Sequence, residues 1–329
     1  MKEKINQQNF LIQFTTTTRI LIVILACLLS ISRTVALKKP ANMLLIVLSP
    51  SKTQDYSTPS ASVLCTPTKR DPKMVALSAP IVSQQKAMNL SEIKSQNKLS
   101  DKLGGGAHEY WKNYGEKGNV ALPAVYAFTG AAYAKLVAST LSKSEMTKLT
   151  SQLRIIDPLQ GYLRPSDIME PYRLEMVNKL GDVKLQKYWS EAVTNAMIEE
   201  FKNKEIGKEG EKVLLNAASE EYFGALDLPL LRENNIKIVK ASFLKSDGSN
   251  APGILLKHAR GLIARWAAQN DAETLEDFEK FDAGGYEFDK VIDNTNDKKF
   301  KECATIVFKM GKNSGGDEEP VKKKQKKKE

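Results

Sequence analysis

Arginines and acids crowd one short segment of this chain. Residues 153–176, LRIIDPLQGYLRPSDIMEPYRLEM, carry Arg164, Arg173, Asp167 and Glu175 among Pro158, Gly161, Pro165 and Pro171. Proline fixes φ and removes a donor, the residue before it is driven towards extended geometry, and glycine marks a turn. The pattern predicts a stiff loop rather than a long helix, with charged side chains held at fixed positions. A site that grips an anion gains from such rigidity, because the ordering entropy is spent before the ligand arrives. The same charges have a structural use: Arg164 and Arg173 paired with Asp167 and Glu175 form an internal network joining two layers.

Further cations recur at positions that suit an anion. Residues 253–270, GILLKHARGLIARWAAQN, have helical periodicity. At about 100° per residue, Leu255, Leu256, Ala259, Leu262, Ile263, Trp266 and Ala267 fall on one arc and Lys257, His258, Arg260, Gly261 and Arg265 on the other. Gly261 in the basic arc costs the helix about 1 kcal/mol relative to alanine. It either exposes backbone to a phosphate chain or serves packing. Lys52 follows a strand-like apolar run in Ser49-Pro50-Ser51-Lys52-Thr53, without the glycines of a P-loop. Asn216, Ser219 and Glu221 stand at the exit of another apolar run. Residues 90–103 have sparse apolar anchors at helical spacing, and Gly104-Gly105-Gly106 then precede AHEYWKNY. Helix, glycine turn, helix outlines a helix-hairpin-helix-like insertion over 89–114. Gly104 and Gly105 would let backbone approach a DNA phosphate, and Lys98, Lys102 and Lys112 would supply charge.

The elements that must position these groups are read from periodicity. Apolar runs at 43–48, 123–128, 213–216, 236–243 and 304–309 predict strands. Residues 185–201, 253–270 and the stretch opened by Thr129-Gly130 predict helices, Ser246-Asp247-Gly248 a hairpin turn. The Ser, Thr and Pro-rich stretch 53–87 reads as loop with one short helix. The fold class is therefore a mixed α/β (α+β) core, a single central mixed sheet flanked by helices, with the helical insertion. Ligands sit at the carboxyl edges of such sheets. The expected cleft is lined by Lys52, Arg164, Arg173, Lys257, Arg260 and Arg265, with Asp167, Glu175 and Glu221 balancing charge and Ser49, Thr53, Asn216 and Ser219 as polar lining.

Several of these stretches resemble the YaaA family of peroxide-stress proteins. The segment GYLRPSDIMEPYRLEM is similar to the family's central signature, and Ser49-Pro50-Ser51-Lys52-Thr53 resembles its S-P-A-K-T opening, with Ser51 in place of alanine. Phe128, Gly130 and Tyr133 fit an F-x-G-x-x-Y pattern, residues 216–222 resemble N-L-A-S-x-E-Y, and Gly285-Tyr286 resembles the start of G-Y-x-F. Gly106-Ala107 departs from a typical hairpin, which has a branched apolar residue and then glycine. The resemblance spans residues 43–309. It implies a role in tolerating hydrogen peroxide, linked to limiting free iron and oxidative DNA damage, with DNA binding through a helix-hairpin-helix-like region. Residue spacing itself points to no peroxide chemistry, no metal site and no cofactor.

Composition bounds the partners. The 329 residues carry a formal charge of +10. Residues 1–42 hold six cations and one acid, and 317–329 six lysines and four acids, so only +3 belongs to the rest. Basicity is mostly a property of the ends, and an argument about the core rests on local patches. Cys27, Cys65 and Cys303 have no metal-ligand spacing and imply no disulfide framework, and with only His108 and His258 a zinc site or histidine triad is not supported. Residues 20–32 are apolar, with Arg19 before and a small-residue Thr34-Val35-Ala36 after. Residues 1–42 thus read as a secretory or plastid-type leader, or as a mis-assigned start, since YaaA-like chains begin near Met43; no stable membrane span is expected. Residues 43–311 form the core, and 312–329 a disordered lysine-rich tail whose KKKQKKK suits nuclear localisation or a nucleic-acid tether in an otherwise cytosolic protein.

Three functional expectations follow. One is a non-enzymatic stress protein, with no catalytic residue, binding DNA or another phosphate-bearing ligand in the cationic cleft. The alternative is an enzyme acting on a phosphorylated or nucleotide-like small molecule there, with Glu221 or Asp167 as acid or base. A third, a scaffold recruiting partners through its tail, would lose all binding on deletion of 313–329.

Overall fold

The computed structural model describes residues 42–57, 65–203, 210–295 and 302–311. The expected leader, apart from Asn42, and the lysine-rich tail lie outside the described residues. In chain order the described elements are β1 (Met43–Leu48), α1 (Pro72–Ala87), α2 (Leu90–Asn97), α3 (Asp101–Asn113), β2 (Leu122–Pro123), α4 (Ala124–Ala127), α5 (Tyr133–Leu136), α6 (Lys143–Gln152), β3 (Leu153–Asp157), β4 (Gly161–Leu163) and β5 (Ile168–Met169). There follow β6 (Lys179–Leu180), β7 (Val183–Lys184), α7 (Leu185–Asn203), β8 (Lys212–Asn216), α8 (Glu220–Phe223), α9 (Leu228–Glu233), β9 (Ile236–Leu244), α10 (Gly253–Gln269), β10 (Asp282–Ala283), β11 (Tyr286–Asp293) and β12 (Ala304–Met310).

One eight-stranded mixed sheet organises the molecule, in the order β10-β11-β12-β9-β8-β1-β3-β4. Its middle five strands, β12-β9-β8-β1-β3, are parallel, and an antiparallel strand or hairpin finishes each side. Parallel strands are covered on both faces, so they read as continuous apolar runs. All six residues of β1 are buried, and its register sets Ile46 beside both Leu215 and Leu153. The carboxyl ends of β1 and β8 therefore release Ser49 and Ala217 at the same sheet edge.

The expected strands at 43–48, 213–216, 236–243 and 304–309 are present, as are the long helices α7 and α10. Four local expectations are corrected. Residues 123–128 form the short β2 and a helical turn, α4, because Pro123 caps the turn and Ala124 N–H bonds outward to Asp167 O at 2.9 Å. The central run is not loop throughout: residues 153–157 and 161–163 are strands, joined by the turn 158–160, and Gly161 opens the second strand with a φ of +73° and a 2.8 Å approach of a Cβ to Trp189 that exclude a side chain. The stretch before residue 87 contains a 16-residue helix, started by Asp71, whose carboxylate accepts from Lys73 N–H, and by Pro72 in the first turn.

The fourth correction concerns the three glycines. They do not form a turn; they lie inside α3, whose buried face is Gly104, Ala107 and Trp111. The turn between α2 and α3 is residues 98–100, where Lys98 adopts a left-handed conformation with φ 50°. Gly104 lets the helices approach, since a Cβ there would stand 2.2 Å from Lys94 Cγ. Gly105 and Gly106 face open space, with nothing within 4 Å of a Cβ.

Candidate functional site

The carboxyl edge of the parallel strands opens into a cleft of 430 Å³. The loop 49–53 after β1 forms one wall, the residues around Gly130 a second, and the first turns of α10 a third. The loop after β8 supplies Ser219, Glu221 and Tyr222. Side chains lock these segments together. Ser49 Oγ accepts from Ser219 N–H at 2.9 Å, and Tyr133 Oη donates to Ser49 O at 3.0 Å. A Cβ on Gly130 would lie 2.2 Å from Ser51 Oγ, so glycine there lets the second wall close on the first.

Three cations line the cleft, Lys52, Lys257 and Arg260, with Glu221 as the carboxylate among them. Lys52 Nζ pairs with Glu175 Oε2 at 2.7 Å. Arg173 stands behind that wall: Nη1 donates to Lys52 O at 3.0 Å, and Nη2 lies 3.5 Å from Glu175 Oε1. The internal pairing read for Arg173 and Glu175 is thus present, and it fixes the Lys52 loop. Lys257 and Arg260 have neither ion pair nor hydrogen bond among the described residues. Burial pulls the Arg260 pKa down, with the Glu220 carboxylate opposing, as expected of a cation partly withdrawn from water. Glu221 Oε1 accepts from Met176 N–H at 3.2 Å.

The expected cation set does not converge completely. Arg164 faces a different cavity of 550 Å³, which includes Met43 at the start of β1, and pairs with Glu200 at 3.2 Å. Glu200 also binds Arg154 and accepts from Tyr162 Oη at 3.1 Å. Burial works to raise the Glu200 pKa, but Arg154 and Arg164 outweigh it and hold the carboxyl below its usual range. Asp167 ties its own loop to Thr68: Oδ2 accepts from Arg164 N–H at 2.8 Å and Oδ1 from the Thr68 hydroxyl at 2.6 Å. Arg265 donates to Leu136 O at 2.8 Å and Val137 O at 3.0 Å, satisfying carbonyls at the end of α5.

Gly261 is buried, not part of a solvated basic face, and a Cβ there would meet Ala132 O at 1.8 Å. Packing is its role. Asn216 shapes the exit of β8, its Oδ1 accepting from Ala218 N–H at 2.9 Å. Thr53 lines the cleft, its N–H bonded to Ser51 Oγ at 3.1 Å. Lys102, Gly104 and Gly105 sit on α3, which contributes nothing to the cleft lining.

Sequence reasoning missed a buried acid and its tyrosines. Asp157, at the end of β3, is fully buried; it accepts from Leu159 N–H at 2.9 Å, Gln160 N–H at 2.8 Å and the Tyr172 hydroxyl. Burial pushes its pKa up to about 6, against the Tyr172, Gln160 and Leu159 hydrogen bonds. Burial and the Asp157 charge raise Tyr133 and Tyr172 well above the ordinary phenol range. The available signal was an acid closing an apolar run, LRIID, at a carboxyl edge.

Among the described residues there is no group of three or more His, Cys, Asp or Glu placed to hold a metal, and no helix long and apolar enough to cross a membrane. The family model described as Peroxide stress protein YaaA matches residues 44–292. A protein of Shewanella woodyi named UPF0246 protein is 34% identical over 249 residues, covering 74% of this chain and 93% of its own length. A UPF0246 protein of Idiomarina loihiensis is 33% identical over 268 residues, covering 79% and 98%, and one of Aliivibrio fischeri 34% over 251 residues, covering 74% and 93%. With the match running from β1 into β11 and through every segment that lines the cleft, the chain belongs to the YaaA family of peroxide stress proteins.

Proposed function

We propose that this chain acts in tolerance of hydrogen peroxide by binding DNA, or another polyanion, through the cleft at the carboxyl edge of its sheet. The observation that carries the reading is the meeting of Lys52, Lys257 and Arg260, from segments some two hundred residues apart, around one concavity. Two of the three have no acidic ion-pair partner among the described residues, so their charge is free for a ligand. Family membership supports the peroxide role, which we link to limiting free iron and oxidative damage to DNA. The working compartment is the cytosol, with the nucleus reached through the lysine-rich end; a leader at 1–42 would redirect the chain to the secretory pathway or a plastid. The cations grip phosphates rather than bases, so binding is tolerant of sequence and falls steeply with salt. Filter binding of an oligonucleotide across a salt series tests this, and a flat dependence on salt rejects it.

A second reading, an enzyme acting on a phosphorylated or nucleotide-like small molecule, is favoured by one feature. The cleft volume of 430 Å³ lies within the range of about 300–1,000 Å³ typical of small-molecule pockets. Glu221 is then the acid or base. Turnover of a nucleotide by the wild type that is lost in Glu221→Gln supports this reading, and binding without turnover supports the first.

A further inference from the structure

We propose that the cleft takes a terminal phosphate, a phosphomonoester entering end-on, in preference to an internal phosphodiester of a continuous strand. This rests on the anion-binding reading above and adds the chemical class of the anion. The charges around the cleft sort into matched and unmatched groups. Lys52 and Arg173 are matched in number by two acids, Glu175 and Glu221. Glu220, the carboxylate that acts on Arg260, is itself paired with Lys240 at 3.1 Å. What remains is Lys257 and Arg260. They stand three residues apart on α10, so their side chains rise from one helix face, and both line the cleft. Two uncompensated charges in one concavity suit a dianion. A phosphomonoester carries about 1.5 to 2 negative charges at neutral pH, and an internal diester about one.

Exposure separates the two kinds of phosphate further. Lys52 and Lys257 are exposed, the Lys52 side chain by 50%, whereas Arg260 is half-buried. A strand lying across the mouth brings its phosphates to the two lysines. Arg260 is met by a group that projects inward. An internal phosphate is flanked by sugar on both sides and offers two free oxygens, while a terminal one is tethered on one side and offers three. Two oxygens match the forked donors of the guanidinium. The hydroxyls of Ser51 and Thr53, which line the same cleft and donate to no protein group among the described residues, supply donors for the third. This chemistry has two sources, the phosphorylated end of a nucleic-acid strand and a free phosphomonoester.

Two comparisons with the full chain test the proposal. Fluorescence anisotropy at fixed salt compares single strands of one sequence that end in a 5′-phosphate, in a 3′-phosphate, or in hydroxyls at both ends. Calorimetric titration compares thymidine 5′-monophosphate with its methyl ester, a diester. The terminal phosphate is expected to tighten binding at least tenfold. A preference among the strands assigns the strand end as the ligand, and a preference confined to the mononucleotides assigns a free phosphomonoester; either supports end-on entry. Arg260→Gln is expected to reduce the preference below threefold, whereas Lys52→Ala is expected to weaken phosphorylated and unphosphorylated strands by the same factor. The wild-type comparisons need no variant, so they decide the matter even if a substituted chain does not fold. No preference in either comparison overturns end-on entry while leaving the polyanion reading standing. Absence of binding by every phosphate-bearing probe overturns both.

Discussion

Replacing Gly261 by alanine asks whether this glycine serves packing or ligand approach. The added Cβ would stand 1.8 Å from Ala132 O, where ordinary contact begins at 3.4 Å, so helix and loop must part by roughly 1.6 Å. The obstacle is backbone, which cannot swing aside as a side-chain end can. Forcing extra volume into a packed contact costs about 1–3 kcal/mol, and a backbone obstacle this close takes the upper part of that range, about 2–3 kcal/mol. Alanine returns about 1 kcal/mol of helix propensity, so a net loss of about 1–2 kcal/mol is expected, a five- to thirty-fold shift of the unfolding equilibrium. Urea denaturation followed by circular dichroism reads it as a lower midpoint at unchanged slope. Because Ala132 also lines the cleft, oligonucleotide affinity should fall in the same variant. A Gly261→Ala protein as stable as the wild type, with weakened binding, would refute the packing argument and restore the glycine to a ligand-facing role.

Gly105→Ala combined with Gly106→Ala should instead stabilise the protein by about 1–2 kcal/mol, because both positions are helical and open; a loss in the same denaturation assay would mean that the three glycines do form a turn. The Asp157 carboxyl, raised from 3.8 to about 6 in the folded chain, binds more protons folded than unfolded between those values, so its contribution falls as pH rises from about 4 to 6 and then levels. Asp157→Asn removes that fall, and its stability relative to wild type should improve by roughly 3 kcal/mol from pH 4 to pH 7, measured by urea midpoints at each pH. Glu200→Gln leaves Arg154, whose side chain is 5% exposed, without its carboxylate, and should destabilise by about 3–5 kcal/mol. Arg164→Ala, at a side chain 45% exposed, should cost less than about 1 kcal/mol and leave oligonucleotide affinity within twofold of wild type; a tenfold loss of binding would place Arg164 in the anion site after all.

What was legible in the sequence follows from how local each signal is. β1, β8, β9 and β12 announced themselves as apolar runs, because strands of a covered parallel sheet need no polar face. The helix α10 was legible from its period. Its basic arc was not fully so: Gly261 lies beside the cations on a helical wheel, yet the wheel says nothing of the Ala132 backbone that presses on it. The helix α1 hid behind serine, threonine and proline, although Asp71-Pro72 and the buried spacing Met74, Ser78, Ile81, Gln85 are its local marks. Pro158 and Gly161 suggested loop in the central run because they do break the chain, but at a strand-to-strand turn. The site was half legible. Lys52, Ser49, Ser219 and Glu221 lie where strand exits predict, whereas the departure of Arg164 to the Glu200 network depends on α7 crossing nearby, a fact of tertiary packing alone.

Lys52, Lys257 and Arg260 are each expected to contact a phosphate of one bound polyanion. The most direct measurement is the slope of log affinity against log salt for a single-stranded oligonucleotide, in wild type and in the Lys52→Ala, Lys257→Ala, Arg260→Ala triple variant. Each phosphate contact contributes about 0.7 to that slope for a single strand, so loss of three contacts is expected to flatten it by about 2. A triple variant that stays folded and keeps the wild-type slope and affinity contradicts the claim that this cleft is where the anion binds.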